Sequence, residues 1–180
     1  MPLLPSLRWA PRCWHAKARR WVPAMVARVD DIAGGLIGVH RTWLDRDAAG
    51  QWHRRDRASL GPIGGGAVRL AEPHETLLLG EGIETCLAAM QACGLPAWAA
   101  LSTSGMIALA LPPIVRNVVI LADHDANGAG ERAARTAAAR WLAEGRRVRL
   151  ALPPEPDTDF NDLLLGRGHA RSAEAHDVAA

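Results

Sequence analysis

The run from Val118 to Gly130 constrains the fold most strongly. An apolar, β-branched segment of strand length ends in Asp123 and Asp125, and a glycine-bearing turn then leads into an alanine-rich helix. Side chains alternate between the two faces of a strand, so these two carboxylates point the same way. Two desolvated carboxylates repel each other unless a cation lies between them, and oxygen ligands suit Mg²⁺. The pair indicates a divalent-metal site at a strand end; the alternative is one helix cap and one solvated turn residue.

The chain around this run alternates between apolar strands and amphipathic helices from Leu77 to Leu152. Such alternation predicts an α/β fold with a parallel, doubly wound sheet flanked by helices. In these sheets ligands gather at the carboxyl ends of the strands, and adjacent strands lie only about 4.8 Å apart. Glu81 and Asp159 also follow predicted strand ends. We therefore expect Glu81 and Asp159 to converge with Asp123 and Asp125 on one metal cluster.

Charge divides the chain into a basic half and an acidic half. Residues 1–70 carry 12 Lys and Arg against 5 Asp and Glu, whereas residues 71–180 carry 9 against 14. Residues 1–29 contain no acid, and three tryptophans lie among their basic residues. Arginine among aromatic residues is typical of surfaces that bind single-stranded nucleic acid. The alternatives are a poorly ordered leader whose tryptophans pack against the domain, or a transit peptide.

The pattern predicts four regions. Residues 1–23 form a basic, Arg- and Trp-rich leader that can be disordered, and residues 24–70 form a small β-rich basic subdomain. Within the subdomain, a glycine-bearing turn between two strand-like runs predicts a hairpin, and the charged segment 45–57 is interpreted as a loop. Residues 71–166 form the α/β domain, and residues 167–180 form a frayed tail.

The amino-acid composition indicates in which cellular compartment the protein is expected. No apolar run is long enough to span a bilayer, and the start of the chain is too short and too interrupted by proline for a signal peptide. Cys86 and Cys93 lie about 10 Å apart on one predicted helix, which is beyond the reach of a disulfide. A reducing, cytoplasmic location without membrane attachment follows as the expectation.

Three acidic motifs in this order resemble a known family. They are Glu81-Gly82-Ile83-Glu84-Thr85, then Asp123-x-Asp125-x-x-Gly128-x-Gly130, then Asp159-Phe160-Asn161-Asp162. Together they are similar to the Toprim domain, the Mg²⁺-binding α/β module of primases, topoisomerases and certain nucleases. The resemblance covers about residues 70–166, and the second motif most resembles the primase-like Toprim proteins of plasmids and phages. It implies a Rossmann-like fold preceded by the basic subdomain.

The resemblance also implies roles by position. Glu81, Asp123 and Asp125 would be catalytic, and the same three residues with Asp159 would bind Mg²⁺ or Mn²⁺. Arg41, Arg54, Arg55 and Arg57 would hold nucleic-acid and nucleotide phosphates. The implied activity is primase-type nucleotidyl transfer on single-stranded DNA with nucleoside triphosphates, in plasmid- or phage-like replication. A replicative helicase or a separate zinc-binding module would be the partner.

Departures from the family pattern keep other functions open. The chain has no tyrosine, so it cannot cut DNA as topoisomerases of this class do, and Lys17, its one lysine, lies in no P-loop. No four-ligand zinc cluster precedes the Toprim-like region, so the chain resembles the catalytic half of a larger primase. The alternatives are a Toprim nuclease that uses the same acids, or a non-catalytic module that binds DNA or a replication partner.

Overall fold

The computed structural model of the chain describes residues 4–122, 128–153, 160 and 174–178. Thirteen helices and strands are assigned in these ranges. The first four strands are β1 (Leu7–His15), β2 (Arg20–Asp30), β3 (Leu36–Arg46) and β4 (Trp52–Leu60). After them come β5 (Val68–Arg69), β6 (Thr76–Gly80), α1 (Ile83–Cys93), β7 (Ala97–Ala99), α2 (Thr103–Ala108), β8 (Asn117–Leu121), α3 (Ala129–Ala143), β9 (Arg147–Leu152) and β10 (Glu174–Asp177).

The second half of the chain forms a six-stranded sheet in the order β10-β9-β8-β6-β7-β5. Strands β9, β8, β6 and β7 are parallel, as the alternation of strands and helices predicts. The two edge strands, β10 and β5, run antiparallel to their neighbours. The predicted α/β fold with a parallel sheet between helices is therefore confirmed.

Each face of this sheet carries its own hydrophobic core. Leu77 and Leu79 of β6 belong to the cluster that contains the alanine-rich side of α3, including Trp141. Leu78, which points to the other face, packs in the cluster that contains Ile83 of α1. Helices on both faces are what a near-continuous apolar strand such as β6 requires.

The first half of the chain forms a four-stranded antiparallel sheet in the order β1-β2-β3-β4. The predicted hairpin is confirmed as β2 and β3, where Met25 pairs with Thr42 and Ala27 with His40. Ala27 is buried in the same core cluster as α1, so this sheet packs against the α1 side of the six-stranded sheet. An isolated bridge between Asp30 and Ala67 also links the two sheets.

Three sequence-based expectations are wrong about local structure. The basic leader contains β1 and the start of β2, the charged segment 45–57 contains most of β4, and the expected tail contains β10. Each of these strands except β2 lies at a sheet edge. Edge strands carry charged side chains that oppose aggregation, and this composition hides the strand pattern. The domain boundaries themselves stay a prediction.

No helix in the described part of the chain is long and apolar enough to cross a membrane. The three cysteines, Cys13, Cys86 and Cys93, are free thiols.

Candidate active site

An open cleft lies where the four-stranded sheet meets the carboxyl end of β6. About 240 Å³ of space lies between its walls, part of it open solvent. Its lining residues come from both sheets: His40, Thr42, Arg57, Glu81, Gly82, Ile83, Glu84 and Leu101. Carboxyl ends of parallel strands are where α/β folds bind ligands, so this cleft is the candidate active site.

Glu81 is the first residue after β6, and its backbone is fixed on the side of β7. The N–H of Leu101 donates to the Glu81 carbonyl over 2.9 Å, and the N–H of Ala100 donates to the Gly80 carbonyl over 2.9 Å. A Cβ atom at Gly80 would lie only 2.8 Å from the Cys86 Sγ. Glycine at position 80 therefore lets α1 pack directly on the strand that presents Glu81.

Leu101 lines the cleft in a strained conformation. Its φ is +67°, in the left-handed region that non-glycine residues rarely adopt. The Ser102 hydroxyl directly after it accepts a hydrogen bond from the Gly105 N–H and caps α2. Strain of this kind persists only where surrounding contacts impose it, and it clusters at functional sites.

The opposite wall of the cleft is formed by two cross-strand pairs of the antiparallel sheet. Thr42 on β3 pairs with Arg57 on β4, and His40 pairs with Ser59. Directly paired residues lie on the same face, so the His40, Thr42 and Arg57 side chains all face the Glu81 side. The strand register thus brings a cation of the basic half opposite an acid of the first motif.

His40 is held as a hydrogen-bonding group in this wall. The His40 Nδ1 lies 2.9 Å from the Ser59 Oγ, and the side chain is buried. Burial lowers the pKa of His40, and the positive charges of Arg57 and Arg41 lower it further. The negative charge of Glu84 raises the pKa and so acts against them. The imidazole is therefore neutral at neutral pH.

The structure separates the four predicted phosphate-binding arginines. Arg57 lines the cleft with Glu81, whereas Arg41 pairs with Ala58 on the opposite face and stacks over Trp43 at 4.8 Å. The Arg55 Nε lies 2.5 Å from an Asp45 carboxylate oxygen. Arg54 pairs with Leu44 and is exposed. Only Arg57 of the four lies beside Glu81.

Three of the four predicted metal ligands, Asp123, Asp125 and Asp159, lie outside the described residues. Their flanks are described. Leu121, two residues before Asp123, is the register partner of Gly80, which directly precedes Glu81. Phe160, directly after Asp159, is buried in the cluster that also contains Leu121.

The cleft contains donors of the kind that bind a divalent cation. Its two carboxylates, Glu81 and Glu84, are oxygen donors, which hard cations such as Mg²⁺ and Mn²⁺ prefer. Within the ranges that the structure describes, no group of three His, Cys, Asp or Glu side chains could hold a metal ion. The carboxylates of Glu81 and Glu84 are the type of ligand that Mg²⁺ prefers, but a complete site needs further ligands.

Sequence reasoning did not single out His40, Thr42 or Glu84 as site residues. A signal was present for the first two, because the period of two along the predicted strand places both polar side chains on one face. Glu84 belongs to the first acidic motif, in which the sequence analysis predicts only Glu81 as a site residue.

Comparison with models of known protein families identifies the family of this chain. Residues 76–170, more than half of the chain, match the model of a Toprim domain. The chain belongs to the Toprim family. Residues 1–70 match a domain of unknown function, DUF7146. No curated protein matches the chain.

Several solved structures that are similar to this chain are primase domains. A DNA primase domain from Pseudomonas aeruginosa matches with a TM-score of 0.54 and 18% identity, over 92% of this chain and 57% of that one. The primase fragment of the bacteriophage T7 primase-helicase matches with a TM-score of 0.55 and 21% identity, over 81% and 59%. A DnaG primase catalytic domain bound to ssDNA matches with a TM-score of 0.53 and 22% identity, over 81% and 48%.

The similarity to these three structures concerns the fold of the chain and the part of their length that the chain spans. At this level of identity they show that the Toprim chain shares the fold of primase catalytic cores. The chain spans between about half and three fifths of the length of these three structures. It is thus a Toprim module that shares the fold of primase catalytic cores.

Proposed function

We propose that this Toprim module is a Mg²⁺-dependent nucleotidyltransferase of the primase type. Its substrates would be a single-stranded DNA template and nucleoside triphosphates. The observation that carries the proposal is the cleft in which Arg57 of the basic sheet faces Glu81 at the end of β6. A cation wall opposite a carboxylate wall fits a reaction between phosphates and a metal-bound nucleotide.

Glu81, Asp123, Asp125 and Asp159 would hold the metal, with Mn²⁺ as a substitute for Mg²⁺. When bound, the metal supplies charge neutralisation of the triphosphate and of the leaving pyrophosphate. Glu81 directly follows Gly80, the last residue of β6. Asp123 comes two residues after Leu121, the β8 residue that pairs with Gly80. This short covalent distance from paired strand ends supports a shared site.

The cleft residues would position the phosphates. Arg57 offers a planar cation that can bind phosphate oxygens through two hydrogen bonds. Thr42, its register partner, offers a hydroxyl beside it. Because His40 is neutral, it would orient groups by hydrogen bonding and would not add a second positive charge.

The remaining expectations belong to the same proposal. The partner would be a replicative helicase or a separate zinc-binding module. The replication would be of the plasmid or phage type, in the cytoplasm. These points rest on the family resemblance.

Primer synthesis tests the proposed reaction. The purified chain is incubated with single-stranded DNA, labelled ribonucleotides and Mg²⁺ or Mn²⁺, beside an Asp123→Asn, Asp125→Asn double variant. We expect labelled primers from the parent and none from the variant. Shortened DNA without primers would instead identify a nuclease. DNA binding by both proteins without any reaction would identify a non-catalytic module.

A further inference from the structure

The wall that carries Arg57 continues beyond the cleft as an exposed aromatic surface. Trp9 pairs with Met25, Met25 with Thr42, and Thr42 with Arg57. These four residues form one row across all four strands, so Trp9 and Arg57 lie on the same face of the sheet. Trp9 is 53% exposed.

Two β-bulges bring more residues to this face. Between Ala10 and Cys13, β1 uses one residue more than β2. Trp14 pairs with Trp21, which lies four residues from Met25 on β2 and therefore on the same face. Without the bulge, Trp14 would point to the opposite face from Trp9, because the two are five residues apart.

The second bulge acts in the same way on β4. Between Trp43 and Leu44 the register gains one residue on β4, so Arg54 pairs with Leu44 and Trp52 with Arg46. Leu44 and Arg46 lie two and four residues after Thr42 on β3, which places them on the Thr42 face. Arg54 and Trp52 therefore lie on the same face as Arg57.

The result is a surface that we name the tryptophan–arginine platform: Trp9, Trp14, Trp21, Trp52, Arg46 and Arg54. Its rings contact each other edge to face, with centroids 5.3 Å apart for Trp9 and Trp52 and 5.6 Å for Trp14 and Trp21. The Arg46 guanidinium lies 5.7 Å from the Trp52 ring. Each of the four tryptophans is still 44% to 55% exposed.

Cross-strand tryptophan pairs also stabilise hairpins. That role does not require four large rings to stay half exposed. It also does not explain why both bulges turn aromatic and cationic side chains towards the face that holds the cleft. Scattered apolar residues are ordinary on a surface, whereas a contiguous exposed patch indicates a ligand.

We propose that the platform binds unpaired DNA by stacking its bases on the tryptophan rings, in continuity with the cleft. The basic half, with 12 Lys and Arg against 5 Asp and Glu, provides the complementary charge for phosphates. Every base has a flat face, so the binding tolerates any sequence. The proposal extends the proposed function, because the strand held here would be the template that reaches the cleft.

Fluorescence anisotropy with a labelled oligothymidylate of about 16 nucleotides tests this on the full chain. We expect Trp21→Leu and Trp52→Leu each to weaken binding roughly 5- to 140-fold, the equivalent of one lost base stack. Far-UV circular dichroism and the thermal midpoint establish that each variant is folded. Unchanged affinity in both folded variants would overturn the proposal.

A matched charge pair controls for general electrostatics. Arg54→Ser removes a cation from the platform face, whereas Arg8→Ser removes one from the opposite face, because Arg8 pairs with Val26. Both arginines are exposed. Only Arg54→Ser should weaken binding and reduce its salt dependence, by a slope of about 0.7 for one phosphate. Equal effects of the two variants would contradict a defined platform.

A measurement on the unaltered protein avoids any folding defect. Bound single-stranded DNA should protect the exposed tryptophans from quenching by acrylamide, and an equal amount of duplex DNA should protect them less, because its bases are already stacked. Absence of protection would overturn the proposal and leave a protein partner as the occupant. Oligonucleotide binding is measured without nucleoside triphosphates and without a divalent metal, so failure of primer synthesis and failure of platform binding are separate results.

Discussion

Gly80 on β6 and Leu121 on β8 are register partners in adjacent parallel strands. The next residue after Gly80 is Glu81, and the chain reaches Asp123 two residues after Leu121. Two acidic motifs that are about 40 residues apart in sequence therefore leave the same edge of one sheet. This pairing supports the proposal that both motifs belong to one site.

Replacing Glu81 by glutamine should abolish catalysis without unfolding the protein. The amide keeps the size of the side chain but loses its charge and basicity, and groups of this type contribute about 10²–10⁴-fold. Primer synthesis should therefore fall by at least about 10²-fold. Glu131→Gln, which breaks an ion pair with Arg135 on α3, is the matched control and should keep full activity. Equal activity of the two variants would remove Glu81 from the site.

Arg57 and Arg55 form a second matched pair. Arg57 lines the cleft, whereas Arg55 is engaged with Asp45. A hydrogen bond to a charged group contributes about 1.5–3 kcal/mol, so Arg57→Gln should raise the KM for nucleoside triphosphate roughly 10- to 140-fold. Arg55→Gln should change it less than about twofold. The reverse order in steady-state kinetics would place the phosphates on the other side of the sheet.

Gly80→Ala should destabilise the fold through a specific collision. The added methyl group would lie 2.8 Å from the Cys86 Sγ in the buried core. Overpacking of this kind costs about 1–3 kcal/mol. Urea unfolding should show this loss in the free energy of unfolding. In a Cys86→Ala background, Gly80→Ala should lower the free energy of unfolding by less, because the sulfur atom is absent. An equal loss in both backgrounds would mean that the added methyl group does not collide with Cys86.

Stability should depend on pH through His40. Its pKa is lowered in the folded protein by burial and by Arg57, so below about pH 6.5 the unfolded chain binds more protons than the folded one. The free energy of unfolding therefore rises with pH up to that value and falls on acidification. Arg41 acts in the same direction as Arg57, and Glu84 acts against them.

The measurement is urea unfolding at several pH values below and above 6.5, for the parent and for His40→Gln. The variant keeps a group that can hydrogen-bond to the Ser59 hydroxyl but cannot titrate. We expect the difference in stability between the two proteins to shift in favour of His40→Gln as the pH falls. A difference that is constant with pH would mean that His40 has the same pKa in both states.

Much of the six-stranded sheet could be predicted from sequence because its signals are local. Gly94 ends α1 in the left-handed conformation, Ser102 caps α2, and the Glu131–Arg135 spacing gives an ion pair on α3. The apolar run of β8 is long enough to mark a buried strand. In each case the residues that decide the structure are neighbours in the chain.

The four-stranded sheet was harder to predict because its decisive features are pairings between distant segments. β4 contains four charged residues between Arg54 and Arg57, and its strand conformation depends on pairing with β3. The bulges that bring Trp14 and Arg54 to the cleft face leave no local signal in the sequence. Consequently Arg57 could be chosen as one of several cations, but its position opposite Glu81 could not be predicted.

Metal binding tests the shared acidic site most directly. Free Mn²⁺ is titrated with protein and followed by electron paramagnetic resonance, for the parent, Glu81→Gln, Asp123→Asn and the control Glu131→Gln. We predict that Glu81→Gln and Asp123→Asn both weaken the same Mn²⁺ site, while Glu131→Gln binds as the parent does. Loss of binding in Asp123→Asn together with unchanged binding in Glu81→Gln would contradict a site shared between the ends of β6 and β8.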